Sequence, residues 1–391
     1  MLIGIIGAPN KGKSTLFSAL TMHDAQIADY PFTTIDPNKG LTYVAVECPE
    51  KRLGIKCNPR NSLCVEGTRY VPVNIVDVAG LVEGASEGKG MGNQFLNDLS
   101  IADALMLVVD ASGRTDAAGN PCSSCNPIDD VNMVKDELHK WLAGIIKKHL
   151  KTISKRDDGI DALYEVLTGM KITRSEIEDS INELKLTSSR INWDDGQIYK
   201  FAEKLIETSK PILVVANKYD LDMETSKANV KSLKENFKDV EWCSAVIEYA
   251  LRKANEKGLI KYSPGMRSFE ILNNDISEDQ KKALSFMANF IKGEGTHVQD
   301  VINYIVFKLL REIVVYPVED ENKFTDHFGN VLPDAILVPE GSTTYDLAMK
   351  IHTDIANNML YAIDAVKKVR LAKNYVLKDG DIIKIVSAAK H

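Results

Sequence analysis

Short runs of apolar residues, separated by polar segments, divide the chain into predicted strands and helices. Four of these runs are nearly continuous, which is typical of strands that are buried on both faces of a parallel sheet. They lie at residues 1–6, 71–76, 104–109 and 211–216. Between residues 127 and 207 the apolar positions instead recur at helical spacing, as they do in the segment 137–156. The pattern predicts an α/β domain with a doubly wound, mostly parallel sheet and a helical insertion.

The segment that begins at residue 311 has a different pattern. Apolar runs predict strands at 313–318, 335–338, 368–371 and 382–386, with a helix at 344–355. Strands, a helix and further strands describe a small α+β unit. Because its histidines have no partnered nucleophile in the sequence, we interpret this unit as a binding module.

Residues 7–14 read Gly-Ala-Pro-Asn-Lys-Gly-Lys-Ser and follow the first strand directly. In this GxxxxGKS pattern the glycines allow backbone N–H groups to converge on a polyphosphate. Lys13 can reach the β- and γ-phosphates, and Ser14 can ligate Mg²⁺. The helix predicted next would present its positive end to the anion. The predicted phosphate-binding residues are Gly7, Ala8, Pro9, Asn10, Lys11, Gly12, Lys13, Ser14, Thr15 and, from the next motif, Gly80.

Two further motifs each follow a predicted strand. Asp77 begins Asp-Val-Ala-Gly, in which the carboxylate can hold Mg²⁺ and the glycine backbone can approach the γ-phosphate. Asp220 ends Asn-Lys-Tyr-Asp, and its carboxylate can accept the N1 and N2 hydrogens of guanine. Adenine lacks this donor pair, so Asp220 would be left mismatched against it.

Residues 243–245, Cys-Ser-Ala, supply a further loop on the base side. The predicted guanine-binding residues are Asn217, Lys218, Asp220, Ser244 and Ala245. Open α/β sheets bind ligands at the carboxyl ends of their strands, where all of these motifs lie. Their order along the chain therefore predicts a GTP site.

The motif sequences also resemble those of a known family. Residues 29–38 resemble the first switch of Obg-related GTPases, and residues 77–85 with 88–93 resemble their second switch. The C-terminal segment resembles the TGS domain of the YchF branch, with the archaeal and fungal relatives as the nearest match. The resemblance covers nearly the whole chain and implies a P-loop GTPase domain followed by a ubiquitin-like β-grasp (TGS) domain.

Four segments follow from the motifs and this resemblance. Residues 1–126 and 208–310 are predicted to form the two parts of the GTPase domain, with the helical insertion at 127–207 and the TGS-like domain at 311–391. The predicted Mg²⁺ ligands are Ser14, Asp77 and Thr34, or Thr33 if the register shifts by one residue.

The resemblance also bears on the choice of base and on catalysis. YchF ATPases carry a base motif that ends in Glu, where this chain has Asp220, so the comparison favours GTP. They also use a His beyond the second switch, and this chain has none between His23 and His139. That catalytic route is therefore absent from the matching region.

The group that orients the attacking water is not identified. Ras-like GTPases place a Gln just after the DxxG motif, and this chain has Leu81 there. Gln94 could supply the function from elsewhere in the switch. The resemblance favours the hydrophobic-substituted GTPases, in which an Asn that matches Asn10 helps to hold K⁺ near the phosphates. Such a cation would neutralise developing charge without a partner protein.

Several functions remain open at this stage. The favoured one is a slow, Mg²⁺-dependent GTPase switch that associates with ribosomal RNA or protein. The alternatives are a nucleotide sensor with negligible turnover and an ATPase of the YchF type. A metabolic kinase would have no need for the guanine reader at Asp220.

Composition limits the partners. The 391 residues are 44% hydrophobic, have a net charge of −7 and contain no apolar run of the length of a membrane span. Because the first residues already form the first core strand, no signal peptide is expected, and we expect a cytoplasmic protein with no membrane or DNA partner. Contact with RNA would need a local basic face. The lysines at 147, 148, 151 and 155 offer one, or are simply solvated.

Six cysteines do not suggest a disulfide framework in a chain of this size. Two pairs, Cys57 with Cys64 and Cys122 with Cys125, could supply four thiolates to zinc. Nothing in the sequence brings the two pairs together, and the first has the wrong spacing for a zinc knuckle. We therefore favour reduced loop thiols.

Overall fold

A computed structural model of the chain describes residues 1–21, 38–78, 84, 99–273 and 277–388. Their contacts separate them into two compact units. Within the described residues, the first unit comprises 1–21, 38–41 and 74–301, and the second comprises 42–73 and 302–388. No described helix is both long and apolar enough to cross a bilayer.

The strands are numbered in chain order. They are β1 (Leu2–Ile6), β2 (Lys39–Glu47), β3 (Leu63–Val65), β4 (Thr68–Asp77), β5 (Ala104–Asp110), β6 (Ile212–Asn217), β7 (Val240–Trp242), β8 (Ile260–Lys261), β9 (Glu270–Ile271), β10 (Glu312–Pro317), β11 (Ile336–Pro339), β12 (Met359–Asp364), β13 (Val369–Leu371) and β14 (Ile382–Ser387).

The α-helices are numbered in the same way. They are α1 (Lys13–Thr21), α2 (Glu50–Leu53), α3 (Pro127–Ile153), α4 (Gly159–Leu167), α5 (Arg174–Glu183), α6 (Asp195–Ser209), α7 (Met223–Asn236), α8 (Ala245–Glu256), α9 (Glu278–Gly293), α10 (Val298–Asn303), α11 (Thr344–Ile351) and α12 (Thr353–Asn357). Short 3₁₀ turns lie at Thr168–Met170 and Tyr219–Leu221, and a π-helical segment lies at Tyr304–Leu309.

The larger sheet has the strand order β2-β4-β1-β5-β6-β7, and β3 pairs with β4. Strand β1 runs parallel to both β4 and β5, and the pairs β5–β6 and β6–β7 are also parallel. Every residue of β5 is buried, as its continuous apolar run predicts. In the β5–β6 register Asp110 lies opposite Asn217, so two polar strand ends meet at one edge. The predicted doubly wound, mostly parallel sheet is confirmed.

The predicted helical insertion is present as α3 to α6. Helix α3 begins at Pro127, ten residues before the predicted start, because Asn126 accepts the Ile128 N–H at 3.1 Å and proline suits the first helical position. Capping boxes at Thr173 and Asp194 start α5 and α6. The sequence predicts the first from Thr173 and Glu176, and for the second it offers either Asp194 or Asp195.

A five-stranded sheet in the second unit has the order β11-β10-β14-β12-β13. Its core includes Val315, Val338, Leu347 and Ile383, which join α11 to the sheet. The predicted helix 344–355 is in fact two helices. His352 adopts an extended φ of −166°, and its ring accepts the Asp354 N–H at 3.1 Å, so it caps α12. The sequence analysis missed β12, which lies between β13 and β14.

The structural division does not follow the four predicted segments, because residues 42–73 group with residues 302–388. Long-range hydrogen bonds account for this grouping. The Val331 N–H donates to Asn58 Oδ1 at 2.6 Å, and Arg69 Nη2 donates to Leu332 O at 2.9 Å. The borders of the four segments stay a prediction.

Candidate nucleotide-binding site

The loop between β1 and α1 has a backbone that only glycine accommodates at two positions. Gly7 has a φ of +141°, and a Cβ there would lie 2.4 Å from Val108 O. Gly12 has a φ of +87°, and a Cβ there would lie 2.4 Å from Asn217 Nδ2. Both contacts are too short for any side chain, so the loop can curl closely against β5 and β6 only because these residues are glycine.

Lys13, Ser14 and Asp77 lie together at the start of α1 and the end of β4. Lys13 is buried, and its Nζ donates to Ala8 O at 2.8 Å across the loop. Ser14 Oγ donates to Asp77 Oδ2 at 3.0 Å. Burial lowers the pKa of Lys13, although the charge of Asp77 opposes this shift. Burial also raises the pKa of Asp77, against the hydrogen bond from Ser14 and the charge of Lys13.

The donor set fits a magnesium ion. A hydroxyl and a carboxylate oxygen in direct contact are the hard oxygen ligands that Mg²⁺ takes in phosphate-binding sites. Burial raises the pKa of Asp77 by more than Ser14 and Lys13 lower it, so a divalent cation beside Asp77 would favour its charged form.

Lys11 lies in the predicted phosphate loop, but its ammonium group binds other parts of the protein. Its side chain is fully buried, and Nζ donates to Thr115 O at 3.0 Å and to Asp116 O at 2.8 Å. It also pairs with Asp130 Oδ2 at 2.7 Å. The ammonium group therefore joins the loop to residues 115–116 and to α3, and only the backbone of Lys11 is left for a phosphate.

Asn217 connects the phosphate side of the site to the base side. Its Nδ2 donates to Lys11 O at 3.1 Å, and its Oδ1 accepts the Ala245 N–H at 3.1 Å. The side chain is only 2% exposed. Asn217 thus positions two loops relative to each other. The sequence alone does not show this role, because the two loops are far apart in the chain.

Asp220 and Ser244 form the polar pair on the base side. Ser244 Oγ donates to Asp220 Oδ1, and the Ser244 N–H donates to Thr296 O at 2.9 Å. Asp220 is half-buried. One carboxylate oxygen is thus held by the serine, so the orientation of the carboxylate is set by its own hydrogen bond.

Lys218 pairs with Asp110, the last residue of β5. It has a left-handed backbone with φ of +63°, and its Nζ lies 3.0 Å from Asp110 Oδ2. Asp110 also accepts the Ser112 hydroxyl at 2.6 Å and the Thr115 hydroxyl at 2.7 Å. Burial alone would raise the pKa of Asp110, but these hydrogen bonds and the charge of Lys218 lower it.

The sequence analysis missed Asp110 as part of the site. The available signal was its position directly after the buried strand β5, which matches the positions of Asp77 and Asn217. Because Asp110 binds Lys218 and Thr115, and Thr115 binds Lys11, it connects the base-side motif to the phosphate loop.

This arrangement can be compared with known proteins. The chain is 48% identical to a GTP-binding protein of Methanocaldococcus jannaschii, over 100% of both chains. The chain belongs to the Obg/YchF-related family of GTP-binding proteins. Three family profiles agree: 50S ribosome-binding GTPase at residues 2–148, Obg-like GTPase YGR210-like, G4 motif-containing domain at 215–320, and TGS domain at 328–387.

A solved structure and a further relative resemble this Obg/YchF-related protein. The crystal structure of a GTP binding protein from Pyrococcus horikoshii OT3 superposes with a TM-score of 0.78 at 35% identity, covering 99% of this chain and 100% of that one. A Bacillus subtilis protein named ribosome-binding ATPase YchF is 36% identical over 220 residues, which is 55% of each chain. The predicted family and fold, including the C-terminal TGS domain, are confirmed.

Asn10 lies in the phosphate loop of this Obg/YchF-related domain with its side chain exposed. It has a left-handed backbone with φ of +62°, and its Nδ2 donates to Gly119 O at 3.0 Å. This hydrogen bond fixes the amide so that Oδ1, the atom that could ligate a cation, points away from Gly119. The role of Asn10 in holding K⁺ stays a prediction.

Several predicted residues of the Obg/YchF-related site lie outside the described residues. They are Thr33, Thr34, Gly80, Leu81 and Gln94. The remaining members of the phosphate set are placed at the loop, with Thr15 in the first turn of α1.

The predicted reduced state of Cys122 and Cys125 is wrong, because the two form a disulfide. Backbone hydrogen bonds from Cys122 to Arg114 and from Cys125 to Gly113 hold them in one turn, with their Cα atoms 6.2 Å apart. That separation is within the range of a disulfide. The considered zinc site of four thiolates, which needed both cysteines, is excluded in this state.

Proposed function

We propose that this GTP-binding protein is a slow GTPase that uses Mg²⁺ and acts as a molecular switch. The observation that carries the proposal is the joint position of a phosphate loop, an Asp–Ser pair and a guanine-type motif at one edge of a parallel sheet. Each part matches one portion of a nucleoside triphosphate.

The residues of the site have separate tasks in this proposal. Lys13 and the N–H groups of the loop would bind the phosphates, and Ser14 and Asp77 would hold Mg²⁺. The ion would offset negative charge on the phosphates. Asp220 would accept the guanine hydrogens, held in orientation by Ser244. Asn217 and Asp110 would keep the loops in register through their hydrogen bonds with Lys11 and Lys218.

An ATPase is the second candidate, because the Bacillus subtilis relative carries that name. The carboxylate of Asp220 argues against it here. Adenine presents no N1–H, so an acceptor facing it would be left without a donor, at a cost of about 1–3 kcal/mol. We therefore expect GTP to bind at least about tenfold more tightly than ATP.

The first test is hydrolysis of GTP and ATP by the purified chain in KCl and in NaCl. We expect slow, Mg²⁺-dependent turnover of GTP that is faster in K⁺, because a cation held by Asn10 would neutralise charge that develops on the phosphates. Asn10→Ala should remove the K⁺/Na⁺ difference.

Leu81→Ala is the control, and it should preserve the ratio of the two rates. Equal rates in K⁺ and Na⁺ for the unmodified protein would contradict the role of Asn10. No measurable turnover with intact GTP binding would favour a nucleotide sensor, and preferential ATP turnover would favour the ATPase.

We also propose that the protein associates with ribosomes. The support is the profile that describes a 50S ribosome-binding GTPase and the name of the Bacillus subtilis relative. Since the chain has a net charge of −7, contact with RNA needs a local basic surface. The lysines at 147, 148, 151 and 155 are all exposed, on and just after α3. Lys147 lies 3.0 Å from Asp195. The other three lysines are exposed, and their ammonium groups could contact RNA phosphates.

Charge reversal of these four lysines to glutamate should reduce co-sedimentation with ribosomal particles. Each lost phosphate contact should also lower the slope of log affinity against log salt by about 0.7–0.9. The matched control reverses four exposed lysines on and just after α7, at 227, 231, 234 and 238. If both variants sediment as the unmodified protein does, the α3 lysines are merely solvated.

A further inference from the structure

Three cysteines and one glutamate converge in the second unit, and none of them belongs to the residues assigned to nucleotide binding. These are Cys48, Glu50, Cys57 and Cys64, and one ligand atom from each lies within 4.8 Å of all the others. Cys48 and Cys57 are buried, with side chains 1% and 8% exposed, while Glu50 and Cys64 are half-buried. Neither the family profiles nor the relatives assign a role to this cluster.

The spacing of the ligand atoms matches a tetrahedral metal site. Zn²⁺ binds sulfur at about 2.3 Å and carboxylate oxygen at about 2.0 Å, which places two sulfurs about 3.8 Å apart and a sulfur and an oxygen about 3.5 Å apart. Here Cys48 Sγ and Cys57 Sγ are 3.8 Å apart. Cys64 Sγ and Glu50 Oε1 are 3.4 Å apart. Two of the six edges between the ligand atoms therefore already have the lengths of a coordination tetrahedron, and all four atoms lie within 4.8 Å of one another.

We propose that Cys48, Glu50, Cys57 and Cys64 bind one structural Zn²⁺ ion. The sequence analysis considered zinc with a different set, which combined Cys57 and Cys64 with Cys122 and Cys125. The structure replaces the second pair with Cys48 and Glu50. Four protein ligands with no open position are characteristic of structural sites rather than catalytic ones.

The backbone around the cluster is well suited to hold it. Cys48 directly follows β2, and its N–H donates to Gly67 O at 2.9 Å. Glu50 opens the short helix α2, and its Oε2 accepts the Cys57 N–H at 2.9 Å. Cys64 lies in β3. Two ligands are therefore anchored on paired backbone, and a third is held by a hydrogen bond to the fourth.

A buried arginine next to the cluster would offset part of its negative charge. Zn²⁺ with three thiolates and one carboxylate has a net charge of −2. Arg69 lies directly opposite Cys64 in the β3–β4 hairpin and is completely buried. Its Nη1 donates to Ser62 Oγ at 2.8 Å and its Nη2 to Leu332 O at 2.9 Å. A buried arginine is costly unless an anionic group lies close to it, and the metal cluster would be that group.

The ion would fasten residues 48–64 into a rigid loop. Within this segment Asn58 accepts the Val331 N–H and Arg60 pairs with Asp334 at 3.0 Å, so the loop supplies part of the contact between residues 42–73 and residues 302–388. Binding of a metal by the folded state alone adds its binding free energy to folding. Zinc is therefore expected to stabilise the second unit rather than to change nucleotide chemistry.

The test is metal binding to the reduced full-length protein, with Zn²⁺ and Co²⁺ as probes in excess Mg²⁺. We expect about one equivalent of Zn²⁺ per chain, since one set of four ligands forms one tetrahedral site. Co²⁺ should give tetrahedral d–d bands and a sulfur-to-cobalt charge-transfer band. Both should disappear when Zn²⁺ displaces Co²⁺. Ser14 and Asp77 contain no sulfur, so a metal at the nucleotide site cannot produce that band.

Loss of a residue that only supports a metal ligand weakens metal binding by about 10–100-fold. The single variants Cys48→Ser, Cys57→Ser and Cys64→Ser each remove a ligand, so each should weaken Zn²⁺ binding by more than that. Glu50→Gln should weaken binding and keep the charge-transfer band, because all three thiolates remain. The matched control is the double variant Cys122→Ser with Cys125→Ser, which should leave both metals bound as before.

Three outcomes would overturn the proposal. The reduced unmodified protein could bind no stoichiometric Zn²⁺, the Co²⁺ complex could lack a thiolate band, or the band could disappear in the Cys122/Cys125 control. The first two measurements use only the unmodified chain, so they decide the question even if a cysteine variant fails to fold.

Discussion

Replacing Lys13 with alanine should weaken binding of Mg·GTP by at least about 100-fold while the protein stays folded. The ammonium group would make charge-assisted hydrogen bonds to the phosphates, at about 1.5–3 kcal/mol each, and two such bonds correspond to about 100-fold or more. Lys13 lies across the loop from Ala8 O, so its amine is already directed into the site.

The fold should tolerate this loss. Burial lowers the pKa of Lys13, which means that folding disfavours its charged form. Removal of the ammonium group therefore takes away a cost to folding, and the melting temperature should not fall. The measurement is calorimetric titration with Mg·GTP, accompanied by thermal unfolding of the same sample.

Lys11→Ala is the matched control from the same loop. The side chains of Lys11 and Asp130 are 0% and 3% exposed, and removal of one partner leaves a buried charge alone, at a cost of about 3–5 kcal/mol in the free energy of unfolding. We therefore expect Lys11→Ala to lower the melting temperature, unlike Lys13→Ala. If Lys13→Ala retains the affinity of the unmodified protein, the loop at residues 7–14 is not the phosphate site.

Replacing Asp220 with asparagine should change which base the protein prefers. The carboxylate would accept two guanine hydrogens, whereas the asparagine amide presents a donor to one of them. Xanthine carries a carbonyl oxygen in place of the guanine amino group, so it suits the amide better. We expect GTP affinity to fall by at least about tenfold, since an unmet polar group costs about 1–3 kcal/mol, and XTP affinity to rise.

The control is Asp222→Asn, two residues along the chain. Asp222 accepts the Thr225 N–H at 3.1 Å as the N-cap of α7, so asparagine can keep that cap. Competition of GTP, XTP and ATP against a fluorescent guanine nucleotide measures all three preferences. An unchanged ratio of GTP to XTP affinity in Asp220→Asn would remove Asp220 from the base-binding role.

Local patterns were sufficient for much of the fold. The continuous apolar runs predicted β1, β4, β5 and β6 because strands covered on both faces of a parallel sheet have no polar side. Thr173 marked the start of α5, and the pair Asp194 and Asp195 marked the start of α6, since a cap interacts only with the next turn of its own chain. The phosphate and guanine motifs could also be recognised in the sequence, because each is a short segment with its own backbone geometry.

The C-terminal domain shows where such patterns stop being reliable. The helix predicted at 344–355 is broken at His352, whose extended backbone interrupts an otherwise helical pattern. Strand β12, which pairs with β13 and β14, was missed because its pattern is irregular. Its register shifts between Met359 and Tyr361, so buried and exposed positions do not alternate regularly along it.

The sequence by itself determined the family, the order of the nucleotide motifs and the parallel sheet that carries them. Only the tertiary structure decided what the buried polar side chains do. It paired Lys11 with Asp130 and Lys218 with Asp110. It also showed that Asn217 forms hydrogen bonds with two loops at once. It also grouped residues 42–73 with residues 302–388 and brought Cys48 and Glu50 to Cys57 and Cys64. The physical reason is range: motifs and caps act over a few residues, whereas the partner of a buried charge or thiol is chosen by packing between segments that are distant in the chain.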